Sequence, residues 1–135
     1  MGLVVGGGLG FAVGAARGGT LSPWDARASV PLLLAAAGAH VALISAVEPM
    51  RQVLFTLYGL ALVGVVVFAA VGWSIWRLGG VLFPLGSIAG YFFFAIQVHQ
   101  VDYGGLFVKV VEVAAITAVV VPVFRRQRRQ RQLAA

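Results

Sequence analysis

Three ionisable side chains stand inside long apolar runs of the sequence: His40, Lys109 and Glu112. An ionisable group at membrane depth is costly, by about 3 to well over 10 kcal/mol, so its presence calls for a partner or a task. Lys109 and Glu112 are three residues apart, which on a helix puts them on one face within reach of each other. The plainest reading is a self-neutralising ion pair. A sharper reading adds His40 and the polar residues Gln97, His99, Gln100, Asp102 and Tyr103, and expects a polar pocket opening toward one membrane face. A carboxylate and an imidazole at equal depth could relay protons, donate to a quinone carbonyl, or bind a cation or polar substrate. The spacing does not choose among these.

Other chemistry is poorly supported. Two histidines invite a haem with two imidazole ligands. His99, however, falls at a membrane boundary and His40 about 10 Å deeper at 1.5 Å per residue, so the two do not face one iron. Haem and quinone are thus minor expectations, and no cofactor is the main one. Gly6 to Gly10 lacks the Lys and Ser or Thr of a phosphate-binding loop, there is no His-Glu-x-x-His zinc motif, and none of Ser22, Ser29, Ser45, Ser74 and Ser87 has a nucleophile-elbow context. The chain has no cysteine, which excludes disulfides, thiolate metal sites and a cysteine nucleophile. The expectation leans away from an enzyme.

The elements that must hold these residues follow from composition. Of 135 residues, 61% are hydrophobic and 10% charged, and the mean hydropathy is +0.99. Soluble domains carry about 25% charged residues, so the expected class is an all-α integral membrane bundle. Apolar runs cover about 2–16, 30–47, 53–76, 78–98 and 106–124, giving five transmembrane helices, or four if the short first run does not span. A crossing needs about 20 residues. Residues 1–124 form the bundle and 125–135 a basic tail. A signal peptide is not expected at the start, because no Lys or Arg precedes Arg17. Nor is a myristoyl anchor, because Gly6 stands where that signal needs Ser or Thr.

Net charge is +6, but five of the ten basic residues are Arg125, Arg126, Arg128, Arg129 and Arg131 in the tail. That placement is what the positive-inside rule predicts for a cytoplasmic end, and it argues against nucleic acid as a partner. Arg17, Arg27 and Arg77 fall on the same side and only Arg51 on the other, so the expected orientation is N-terminus outside and C-terminus cytoplasmic. Pro31 and Pro49 are expected to open helices, with Pro84 and Pro122 inside later ones. Trp24, Trp73 and Trp76 fall near one boundary and Tyr103 near the other, as an aromatic belt would place them. The run Tyr91 to Phe94 reads as lipid-facing or packing surface.

Gly6, Gly10 and Gly14 form two overlapping GxxxG steps, and Ala35 to Ala39 a second small-residue surface; both suit close helix packing. Two functions follow. The first is a small membrane protein acting by association, as a subunit or helper of a larger membrane complex or with copies of itself, in the lipid bilayer. The alternative is a small oligomeric carrier or channel, with an outward-opening site between the second, fourth and fifth runs built on His40, Gln97, His99, Lys109 and Glu112.

Overall fold

A computed structural model describes residues 25–99 and 101–133, with the side chains of residues 25–27 and 126 left undescribed. The first apolar run with Gly6, Gly10 and Gly14, together with Arg17, Trp24 and Gln100, lies outside the described residues. Among the described residues there are four helices and no strand: α1 (Asp25–Leu43), α2 (Pro49–Val71), α3 (Trp76–Val98) and α4 (Tyr103–Leu133), with a single 3-10 turn at Ile44–Ala46. All four are long and apolar enough to cross a membrane. The expected fifth span rests on the first run alone.

Local chemistry sets the helix boundaries. Pro49 occupies the first turn of α2, as expected, after an extended Glu48. The third run was expected to stay helical to Trp76; α2 instead stops at Val71. Gly72 takes φ 85°, its N–H bonds to the Ala69 carbonyl at 3.2 Å, and the Trp73 N–H bonds to the Phe68 carbonyl at 3.0 Å. This is the Schellman closure of a helix, and it carries the apolar contact usual for that motif: the Phe68 and Trp73 rings stack 5.3 Å apart. Without a Cβ, glycine adopts the left-handed backbone that this turn requires.

Asp102 starts α4. Its carboxylate accepts from the N–H groups of Gly104 at 3.2 Å and Gly105 at 2.6 Å, which would otherwise lack partners at a helix start. Two further boundaries and one side chain differ from expectation. α1 begins six residues before Pro31, so that proline sits inside the helix, where its missing N–H leaves only the Arg27 carbonyl near the helix start without its usual partner. α4 does not end at Phe124 but continues through the basic segment to Leu133. Arg, Gln and Leu are good helix formers, and cations favour a helix C-terminus. Trp76, expected at the interface, is buried in the bundle.

The helices alternate in direction and close a four-cornered bundle in which α1 and α3 each pack against both α2 and α4. Each presents a seam spaced by threes and fours: Ser29, Leu33, Ala36 and His40 on α1; Tyr58, Leu62, Val65 and Ala69 on α2; Trp76, Gly80, Pro84 and Ser87 on α3; Val108, Glu112, Ala115 and Val119 on α4. All are buried except the half-buried Tyr58 and Ser87. The apolar members fill the half of the bundle near Trp76, around Leu33, Leu62, Ala115 and Val119. Of the polar members, His40, Tyr58, Ser87 and Glu112 collect in the other half, nearer the Ile44–Ala46 turn and the α3–α4 connection, while Ser29 stands three turns before His40. That division of the seams sets the place of the candidate site.

Candidate functional site

Each helix delivers one seam position to the polar half, and α4 adds Lys109 one turn before Glu112. Glu112 is fully buried. One of its carboxylate oxygens accepts from Lys109 Nζ at 2.7 Å and the other from the Tyr58 hydroxyl at 2.6 Å. Lys109 Nζ also donates to Ser87 Oγ at 2.5 Å. His40 contacts the Ala36 carbonyl through Nδ1 at 2.9 Å, and because a carbonyl only accepts, Nδ1 carries the proton. In the neutral ring Nε2 is then an acceptor. It lies 3.4 Å from Ser87 Oγ and 3.8 Å from Glu112 Oε1. Ser87 accepts from Lys109, so its single hydrogen is free to point at His40.

The result is one hydrogen-bonded network drawn from all four helices: Lys109 donates to Ser87 and Glu112 and Tyr58 donates to Glu112, while the Ser87 hydroxyl faces both His40 Nε2 and the Tyr58 oxygen. Rings support it on both sides. His40 sits 4.3 Å from the Tyr58 ring and edge-on to Phe55 at 5.0 Å, while Lys109 Nζ lies 5.8 Å from the centre of Tyr91. Charge-assisted hydrogen bonds of this kind are about twice as strong as neutral ones. A buried charge pair with its hydrogen bonds made is tolerable; one partner alone is not.

Beside the network lies a cavity of about 390 Å³. Its floor is His40, Tyr58, Ser87 and Lys109, and its walls include Leu54, Phe55, Leu82, Phe83 and Phe94. Arg51, over the ring of Phe94 at 5.3 Å, stands toward the connector end. Gly86 and Gly90 of α3 complete one wall; a Cβ added at either would meet nothing within 4 Å. These glycines leave the space open. A small-molecule site usually has a volume of about 300 to 1,000 Å³, apolar walls and a few convergent polar groups.

The expected residues divide cleanly. His40, Lys109 and Glu112 come together. Gln97 and His99 do not join them: both are exposed and neither lines the cavity. Gln97 is six residues past Tyr91, which turns it away from the α3 seam, and His99 ends α3 in a left-handed conformation at φ 52°. Asp102 caps a helix, and Tyr103 is 87% exposed. The expected pocket between the second, fourth and fifth runs also omitted the third, whose helix α2 supplies Tyr58, Phe55, Leu54 and Arg51. Tyr58 and Ser87 were missed because hydroxyls are tolerated at membrane depth and carry no warning of their own. Their seam spacing was the available signal. Tyr58 stands four before Leu62, and Ser87 three after Pro84. Among the described residues, no three of His, Asp and Glu are grouped to hold a metal ion.

Replacing Tyr58 with Phe removes one donor from Glu112 and leaves Lys109 in place. Interhelical hydrogen bonds in membranes contribute about 0.6 to 2 kcal/mol. Unfolding of the Tyr58→Phe protein in detergent should show a loss in that range, well below the loss from removing a charge.

Comparison with protein-family models, with characterised proteins and with solved structures finds no match to this chain.

Proposed function

We propose that this is a small multi-pass membrane protein that binds a small molecule between its helices and acts as a carrier for it. The observation that carries the reading is the cavity itself, with largely apolar walls and a floor of four polar side chains held by a buried ion pair. That combination suits a ligand with an apolar body and a polar head. A network serving stability alone has no need of two glycines that keep a space open beside it. In this reading the basic segment from Arg125 is cytoplasmic and the cavity opens on the outer side, supported by the concentration of arginines at one end of the chain.

The test uses the full chain in nanodiscs and a panel of decyl compounds with neutral, cationic and anionic heads. At least one should bind the parent above empty nanodiscs, and Gly86→Leu should weaken that binding at least about tenfold, or 1.4 kcal/mol, while helix content and melting stay unchanged. No binding by any of the panel, or equal binding by Gly86→Leu, overturns the carrier reading.

One observation favours the second reading, association with other membrane proteins or with itself. The apolar segment of α3 is only 6% buried, against 44% for α1. Its outer face, with Leu85, Phe92, Phe93 and Ile96 exposed, is a broad surface for another helix. Stable co-purification of a defined partner from native membrane in mild detergent, lost on placing charge at Phe93, supports this reading; a monodisperse monomer under the same conditions opposes it.

A further inference from the structure

The charges around the cavity are one-sided. Arg51 and Lys109 line it, whereas Glu48, Asp102 and Glu112 do not. The Asp102 carboxylate is occupied by two backbone N–H groups, and Glu112 is covered by Lys109 and Tyr58. A ligand in this space therefore meets two cations, three hydroxyl-bearing side chains and an imidazole. Lys109 uses two of its three donors on Ser87 and Glu112, which leaves the third for a guest.

Charge balance adds a second condition. Lys109 and Glu112 cancel, so with a neutral His40 the network has no net charge. An anion resting on Lys109 would leave an uncompensated negative charge within the span, which is strongly disfavoured at membrane depth. One proton restores neutrality, and a place for it exists. His40 Nε2 carries the ring's lone pair, met only by the long 3.4 Å contact with the Ser87 hydroxyl, which can turn away, and it lies 3.8 Å from the Glu112 carboxylate that would face the imidazolium. The groups around that ring are the Ala36 carbonyl on α1, Phe55 and Tyr58 on α2, Ser87 on α3, and Lys109 and Glu112 on α4.

We propose that the ligand is a single-chain amphiphile with an anionic head and that it is bound together with one proton. This rests on the carrier reading above. The head sits on Lys109, the chain lies among Leu54, Leu82 and Phe83, and Arg51 attracts the anion near the mouth. The proton comes from water and is held by the His40–Glu112 pair, so site, anion and proton combine with no change in net charge. The cavity lies at the lower end of the range for small-molecule sites, about 300 to 1,000 Å³, which suits one chain rather than two.

The probe is decanesulfonate, whose charge is fixed over the working range, with decanol as its neutral counterpart, both measured by calorimetry on the full chain in phosphatidylcholine nanodiscs. The sulfonate should bind at least about tenfold tighter than decanol. Its Kd should fall toward lower pH between pH 8 and 6, by about tenfold per unit where uptake is complete. Runs in buffers of different ionisation heat should return about one proton taken up per anion. Arg51→Gln should weaken sulfonate binding and leave decanol unchanged. Glu112→Gln, which leaves Lys109 uncompensated, should bind sulfonate without proton uptake. Equal binding of decanol and sulfonate overturns this proposal and leaves the carrier reading standing, whereas absence of binding by both removes the carrier reading as well. Sulfonate binding by the parent without proton uptake overturns the coupling. Loss of sulfonate binding in nanodiscs containing phosphatidylglycerol would assign the site to membrane lipid and overturn the single-chain assignment.

Discussion

Replacing Glu112 with Ala should destabilise the protein by about 3–5 kcal/mol, the cost of leaving one member of a buried ion pair without its partner. Glu112 is fully buried and accepts from both Lys109 and Tyr58, so its loss strands a cation and a hydroxyl together. Water in the adjoining cavity hydrates the abandoned Nζ in part, which places the loss toward the lower end of that range. The double replacement Lys109→Met with Glu112→Gln should recover most of it. No charge is then left unpaired, and the glutamine still accepts from Tyr58; buried ion pairs exchanged for neutral groups of similar volume are often near neutral in stability. Unfolding in detergent, followed by helix content across Lys109→Met, Glu112→Gln and the double, measures the coupling directly. A Glu112→Ala loss below about 1 kcal/mol, or a double no better than the worse single, would show that the pair is exposed rather than buried.

Gly80→Leu should damage the apolar half, whereas Gly80→Ala should be tolerated. A Cβ at Gly80 would lie 3.4 Å from Val119 and 3.5 Å from Leu33, ordinary contact distances. Alanine therefore fits and gains up to about 1 kcal/mol in helix propensity. The three further carbons of leucine would enter space held by Leu33, Val119 and Trp76, all buried. Overpacking of this kind costs about 1–3 kcal/mol. The effect should also reach the polar half. Ser87 is seven residues on, two turns along the same face of α3, so moving α3 outward draws Ser87 away from Lys109. The check is melting together with ligand binding: Gly80→Leu should lose both, and Gly80→Ala neither.

How much of this was legible in the sequence depended on what each signal had to compete with. Length and hydropathy gave the four described helices that are long and apolar enough to cross a membrane, because an apolar run of about 18 residues or more with few charges is the mark of a candidate crossing. Helix ends were less legible. The Schellman closure at Gly72 and the Asp102 cap are local chemistry, but hydropathy carries through Trp73 to Trp76 as if the helix did. The basic segment after Phe124 looked like the end of the span and is the end only of its apolar part, since helix formation and hydrophobicity separate there.

The site was partly legible for a related reason. Lys109, Glu112 and His40 stood out because lipid tolerates them poorly. Tyr58 and Ser87 did not stand out, and Gln97 and His99 attracted attention only by being polar near a boundary. In lipid the outward face of a helix is as apolar as the inward one, so hydropathy does not show which way a residue points. Spacing by threes and fours does. Ser29, Leu33, Ala36 and His40, or Trp76, Gly80, Pro84 and Ser87, form seams in which small and polar residues replace hydrophobicity as the mark of the interior. Using that spacing would have included Tyr58 and Ser87 and set aside Gln97.

The central claim is that the polar floor lies in a cavity reached from water, and cysteine labelling tests it most directly because the chain has no cysteine of its own. Three single variants in nanodiscs are treated with a small charged methanethiosulfonate: Gly90→Cys on the cavity wall, Ala115→Cys in the packed interior and Leu60→Cys on an outer face. The account predicts that Gly90→Cys is modified, that Ala115→Cys and Leu60→Cys are not, and that adding Gly86→Leu protects Gly90→Cys. Gly90→Cys as inert as Ala115→Cys would contradict it.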